Sequence, residues 1–421
     1  MNTTAGFSQK IKKFLRVFGP GLITGASDDD PSGIATYSQA GALFGYSTLW
    51  TALFTFPLMA AIQGMCGRIG LVTQHGLAGT LKCYYPKQFL YVILVLSFPA
   101  ITFNIGADLQ GMGAVANMLF PKVPVWAFCV FFTAFLLFII IKYSFDKISM
   151  ILKWLCLSLL LYIIIPFLVS TDIMQILHSS LIPSIHFNSD FFAILVAILG
   201  TTISPYLFFW QATMEAEVIS RQTENSKPVK SLLKDMRLDV NVGMLFSNAV
   251  MFFIILTSGE VLYKAGITQI ETVDQAAKAL EPLTGKLSYL FFTVGVIGTG
   301  LLAIPVFASS LAYILAETFE WHQGLDKKFF QARGFYITLS ASLLIGLSLD
   351  FIGLSPIKAL LYTAILYGIT APVLIGVILH ISNNTKIMGE HTNSWLSNIL
   401  GFIALVLMTL AAIGLLYFQL T

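Results

Sequence analysis

Three consecutive acids, Asp28, Asp29 and Asp30, interrupt an apolar stretch that runs from Gly19 to Ala42, GPGLITGASDDDPSGIATYSQAGA. An ionised acid at the centre of a bilayer costs about 3 kcal/mol or more, so acids inside a span mark function. Pro31 removes a backbone donor, and Gly25 and Gly33 loosen the helix on either side. Broken backbone at membrane depth is tolerated only where it lines a cavity or is buried in protein. The stretch therefore reads as an ion or substrate site at the midplane of a transporter. A second reading is purely local: aspartate at an N-cap followed by proline is a good helix start. One cap does not account for three acids, and Asp30 could serve as cap and ligand together.

A second stretch has the same construction. Residues 189–221 read SDFFAILVAILGTTISPYLFFWQATMEAEVISR. Gly200, Thr201, Thr202, Ser204 and Pro205 break the apolar run near its middle. Two interrupted helices at corresponding places in two halves point to an inverted-repeat transporter with its site between the breaks. Two unrelated proline kinks are the competing explanation.

The elements that must carry these breaks are membrane helices. Of 421 residues, 57% are hydrophobic and 11% charged, against about 25% charged in average soluble domains. Mean hydropathy is +0.82. No segment is long and polar enough for a separate soluble domain. A span needs about 20 mostly apolar residues. That rule predicts eleven, near 15–46 (broken), 48–71, 88–111, 124–143, 148–170, 189–221 (broken), 239–263, 287–318, 335–350, 356–381 and 395–419. His75 to Tyr85 and Thr272 to Leu283 read as amphipathic connections. The N-terminal stretch MNTTAGFSQKIKKFLRVFG has no small-residue cleavage site after an apolar core, so no signal peptide is expected.

Orientation follows from Lys and Arg in the short loops. With a cytoplasmic N-terminus, nineteen of the 24 fall inside and five (Lys122, Lys264, Lys278, Lys286, Lys358) outside. That asymmetry puts the C-terminus outside after an odd number of spans, in a cell membrane such as a bacterial inner membrane. The basic stretch from Arg221 to Arg237 reads as a cytoplasmic loop rather than a nucleic-acid or lipid patch. Cys66, Cys83, Cys129 and Cys156 are scattered among apolar neighbours, so neither a disulfide nor a zinc site is expected.

Other polar residues have weaker claims. Asp108, with Gln110, lies in an apolar span and needs a partner there. Glu215 and Glu217 follow the second break and read equally as an exit lining or as residues at a helix end. The six histidines form no ligand cluster in the sequence. Phe208, Phe209 and Trp210 read as packing or an aromatic lining. No glycine-rich nucleotide loop is present, which disfavours an ATP-driven pump.

GPG at 19–21, DPSG at 30–33, QAGA at 39–42 and SPY at 204–206 together resemble the Nramp divalent-metal transporters. The resemblance covers nearly the whole chain. It implies an all-α LeuT-type fold: five spans (about 15–170), an inverted repeat of five (about 189–381) and one extra helix (about 395–419). In that family the breaks read DPGN and MPH. Asp30 matches the metal-binding aspartate. Gly33 stands where the family has an asparagine ligand, Ser204 where it has methionine, and Tyr206 where it has histidine. Ser27 and Thr201 fall where the family offers backbone carbonyls to the metal. Asp108 matches an acid of the proton pathway, while Ile105 replaces the other. The pattern is similar to the Nramp-related magnesium transporters, a branch lacking the methionine.

The chemistry of these differences can be argued directly. A thioether is a soft ligand that favours manganese, iron or cadmium; Ser204 offers a hard oxygen instead. Magnesium keeps several waters and binds through one or two carboxylates. Asp30, small neighbours, carbonyls and Asp29 leave room for a partly hydrated ion. Manganese still binds better wherever both ions fit.

The expectation is a multi-pass secondary transporter, not an enzyme, that takes up Mg²⁺ and/or Mn²⁺ by alternating access. A proton-coupled Mn²⁺/Fe²⁺ importer is the alternative. An organic-solute transporter on the same fold is more distant, since three aspartates repel an anion. A membrane aspartyl protease would need acids on different helices. The metal is the substrate and no cofactor is expected. The partners are membrane lipids rather than nucleic acid, and the protein is expected to be a monomer.

Overall fold

The structure is a computed structural model, described here for residues 19–143, 161–168, 172–220 and 228–420. Their regular secondary structure is helical, with no strand among them. In chain order the helices are α1 (Pro20–Asp28), α2 (Pro31–Phe44), α3 (Trp50–Thr73), α4 (Leu77–Tyr84), α5 (Lys87–Leu119) and α6 (Val125–Lys142). There follow α7 (Leu161–Leu168), α8 (Ile173–Leu181), α9 (Ser189–Thr202), α10 (Pro205–Ser220) and α11 (Val229–Ser258). Finally come α12 (Ser288–Phe319), α13 (Arg333–Ser348), α14 (Pro356–Asn383) and α15 (Trp395–Leu420). Short helical turns, among them Val273–Ala277 with a Thr272–Gln275 capping box, fill the connections.

Among the described residues eight helical segments are long and apolar enough to cross a membrane, with α9 and α10 counted as one. The split first helix and the 16-residue α13 account for two more of the eleven expected spans. The expected span at 148–170 lies mostly outside the described residues, as do residues 15–18, Cys156 and Arg221 to Lys227. The remainder of the basic stretch differs from expectation: residues 229–237 are the first turns of α11 rather than loop. Its Lys and Arg are good helix formers, and hydropathy reports burial, not helicity.

Burial is graded. The pair α9–α10 is 89% buried across its apolar window, whereas α6 and α15 are 28% and 33% buried. Phe131, Phe138, Phe402 and Leu410 project outward from the latter two, as lipid-facing side chains do.

Close helix contacts hold the broken helices. A Cβ on Gly25 of α1 would lie 2.2 Å from the Gly243 carbonyl oxygen of α11. A Cβ on Gly200 of α9 would lie 2.3 Å from the Gly368 nitrogen of α14. Only glycine permits these approaches, the small-residue packing typical of membrane helices. α11 therefore backs the first break and α14 the second.

Candidate functional site

Both breaks have the same local design. α1 stops at Asp28; Asp29 (φ −85°, ψ 53°) and Asp30 (φ −69°, ψ 172°) leave helical geometry, and Pro31 restarts the helix. α9 stops at Thr202; Ile203 (φ −109°, ψ 61°) and Ser204 leave the helix, and Pro205 restarts it. Each proline sits where its missing N–H costs nothing. Carbonyls at each upper helix end lose their usual partners, which is how backbone becomes available to a ligand.

Asp30 is fixed from two directions. Its Oδ1 accepts the Gly33 amide at 2.6 Å, the N-cap bond of α2. Its Oδ2 accepts the Asn104 side-chain amide of α5 at 3.1 Å. A carboxylate has about four lone-pair positions, so two remain for a ligand. Asp30 is thus cap and candidate ligand together.

Gly33 marks the point where the breaks meet. A Cβ there would lie 3.3 Å from the Asp28 carbonyl oxygen, 3.3 Å from Thr201 Oγ1 and 3.4 Å from Asp30 Oδ1. Three oxygens from two broken helices therefore converge on one small residue. Tyr206 bridges the breaks as well: its hydroxyl donates to the Ser27 carbonyl at 3.2 Å. Its ring stands on Phe307, centroids 4.1 Å apart. Ser204 closes on its own helix, donating to the Thr201 carbonyl and, at 3.2 Å, to the Gly200 carbonyl.

The other two acids of the triplet face α11. Asp28 Oδ2 accepts the Ser247 hydroxyl at 2.7 Å, and Asp29 Oδ1 lies 3.4 Å from the same hydroxyl. One hydroxyl has one proton, so Asp28 takes it. Asp28 Oδ1, Asp29 Oδ2 and the Ser27 hydroxyl are buried without a hydrogen-bond partner. Asp108 is fully buried, within electrostatic reach of Asp30 and of the Ser32 backbone amide, and no side chain hydrogen-bonds either of its oxygens. Among the described residues no Lys, Arg or His pairs with these four acids. Buried charges are normally paired or bound to metal.

The region beyond the second break separates Glu215 from Glu217. Glu215 is buried and accepts Gln211 Nε2 at 3.0 Å; Gln211 in turn accepts Thr24 at 2.6 Å, tying α10 to α1. Glu217 accepts the Tyr313 hydroxyl at 2.6 Å and lines a cavity of about 270 Å³ with Glu317 and Asp326. Phe208, Phe209 and Trp210 are buried packing residues. Among the described residues no three His, Cys, Asp or Glu side chains are grouped to hold a metal. A cation between the breaks would therefore rely on Asp30 with hydroxyl and carbonyl oxygens, not on a carboxylate cage.

Sequence reasoning missed four partners: Asn104, Ser247, Glu317 and Asp239. Asp239 accepts the amides of Gly21 (2.7 Å) and Leu22 (3.1 Å), capping α1 from α11. Asn104 alone had a readable signal. It lies four residues before Asp108, which places both on one helix face.

Comparison with known proteins agrees with this architecture. The chain is 27% identical over 401 residues to the divalent metal cation transporter MntH of Caldanaerobacter subterraneus subsp. tengcongensis, covering 93% of this chain and 90% of that protein. It is 28% identical over 316 residues to the MntH of Staphylococcus saprophyticus, covering 73% and 68%. The manganese transporter of Eremococcus coleocola, solved with an aromatic bis-isothiourea substituted compound, superposes with a TM-score of 0.77 at 18% identity. That match covers 96% of this chain and 87% of the other. MhsT in complex with L-phenylalanine has the same LeuT-type fold, with a TM-score of 0.59 at 14% identity over 95% and 97% of the two chains. The sequence profile described as natural resistance-associated macrophage protein-like matches residues 21–418, and the chain belongs to the Nramp family.

Proposed function

We propose that this multi-pass membrane protein carries divalent metal cations, Mg²⁺ or Mn²⁺, across the cell membrane by alternating access. The supporting observation is the convergence at Gly33 of Asp30, the Asp28 carbonyl and Thr201 from two broken helices. The ion is held by Asp30, with the Asp28 carbonyl and the Thr201 hydroxyl as the nearest further hard oxygens. The Ser27 and Thr201 carbonyls, which also accept the Tyr206 and Ser204 hydroxyls, have their remaining lone pairs for it. The oxygens gathered around Gly33 are hard donors, which suit Mg²⁺ as well as Mn²⁺. With Ser204 in place of a thioether, discrimination against magnesium is lost. Relatives named as divalent metal cation transporters support the same substrate class.

The Lys and Arg distribution supports a cytoplasmic N-terminus, so that the cavity beside Glu217 is the inner exit. The inside-negative potential then drives uptake: about 2.3 kcal/mol per charge per 100 mV, roughly doubled for a divalent ion. Titration calorimetry of purified protein with Mg²⁺ and Mn²⁺, with amino acids as controls, tests the reading. Saturable heat with the cations alone supports it. Heat with an amino acid and none with either cation assigns the site to an organic solute.

A further inference from the structure

A cavity of about 450 Å³ between α3, α11 and the start of α15 takes no part in the ion site. Its walls have two characters. Phe56, Pro57 and Leu400 form an apolar slot, and Arg68 and Arg237 form a basic end. Along α3, Phe56 lies about 18 Å from Arg68, at roughly 1.5 Å per residue. The slot therefore runs from the basic end toward the bilayer interior. The basic end lies on the side where the Lys and Arg excess falls.

The basic end is short of negative charge. Arg68 is only 5% exposed. One of its N–H groups goes to the Asn393 side-chain oxygen, and its Nε is buried with no partner. Arg237 is close enough for the two like charges to repel. Among the described residues neither arginine forms an ion pair. Two adjacent cations, one of them buried with an unused donor, call for an anion. A guanidinium fork fits phosphate oxygens in particular. Basic pockets between spans near the cytoplasmic surface are suited to anionic headgroups.

We propose that this cavity binds an anionic membrane phospholipid, with its phosphate on Arg68 and Arg237 and an acyl chain along Phe56, Pro57 and Leu400. The apolar slot distinguishes a lipid from a free anion, because a free phosphate would leave it uncovered. A zwitterionic headgroup would bring a cation beside two arginines and bind less well.

Native mass spectrometry of the purified full-length protein tests this, with phosphatidylglycerol, phosphatidylcholine and inorganic phosphate as separate probes. Phosphatidylglycerol is expected to be retained and the other two lost. Arg237→Gln removes one exposed charge and is expected to weaken retention about fivefold, near 1 kcal/mol. Gly64→Phe plugs the slot with both arginines intact. A Cβ at Gly64 meets nothing within 4 Å, so the added side chain leaves the backbone unobstructed and the ring enters the cavity that Gly64 lines. It is expected to abolish retention. Equal retention of both lipids, or phosphatidylglycerol retention unchanged in both variants, overturns the proposal. Inorganic phosphate held as firmly as the lipid assigns the cavity to a soluble anion and overturns it too.

Discussion

Asn104 of α5 donates its side-chain amide to Asp30 at 3.1 Å, and so joins the third predicted span to the first break. The bond fixes the carboxylate that the proposed ion would meet. Neutral outer partners of this kind orient a ligand without touching the metal, and their loss costs 10–100-fold in affinity in known metal sites. Asn104→Ala is expected to weaken Mn²⁺ binding by about tenfold in calorimetry, with the protein still folded. Unchanged affinity would show that Asp30 does not depend on this bond.

Gly33 and Ser204 bear on selectivity. Ser204→Met brings a soft ligand to the second break and is expected to move preference toward Mn²⁺ and Cd²⁺, away from Mg²⁺. Gly33→Asn is harder to accommodate, because a Cβ already meets three oxygens at 3.3–3.4 Å. Those neighbours must give by a few tenths of an ångström. Gly33→Ala alone is therefore expected to reduce uptake. Competition between Mg²⁺ and Cd²⁺ reads the first effect. If it stays the same in Ser204→Met, residue 204 does not face the ion.

Proton coupling is expected to be weak or absent. By the family resemblance Tyr206 stands where a titratable histidine would be, and its hydroxyl is engaged with the Ser27 carbonyl. An unperturbed tyrosine titrates near pH 10, far from the range in which histidine exchanges protons. On the pathway that the family resemblance implies, Ile105 leaves Asp108 as the one acid. Metal uptake into liposomes is expected to respond to an imposed potential without acidifying the interior. Metal-dependent acidification that disappears in Asp108→Asn would make the protein a proton-coupled importer.

Asp239 holds the start of α1 through the amides of Gly21 and Leu22. Removing a cap costs about 1–2 kcal/mol. Asp239→Ala is expected to lower the unfolding temperature of the detergent-purified protein, and Asp239→Asn to lower it less. Equal unfolding temperatures for all three proteins would show that the cap adds nothing to stability.

The two breaks were legible because they violate the membrane rule locally: acids, prolines and hydroxyl residues stand where a span should be uniform. The spans followed from hydropathy for the same reason. What stayed hidden was tertiary. Asp239 looks like any acid near a helix end until α1 is seen lying against α11. Ser247 is one serine among many in an apolar span. Glu317 closes on the Gly76 and Gly79 amides, at 3.0 and 2.7 Å, across 241 and 238 residues of sequence. The helical start of α11 was hidden by its own charges, since a polar helical turn and a polar loop have the same hydropathy.

Uptake of Mn²⁺ and Mg²⁺ into liposomes containing the purified protein, with an inside-negative potential, tests the central claim most directly. Asp30→Ala, reconstituted at equal density, is the comparison. Saturable uptake by the wild type and background uptake by Asp30→Ala is the predicted result. Wild-type uptake no greater than in protein-free liposomes, or equal uptake by Asp30→Ala, would contradict the account.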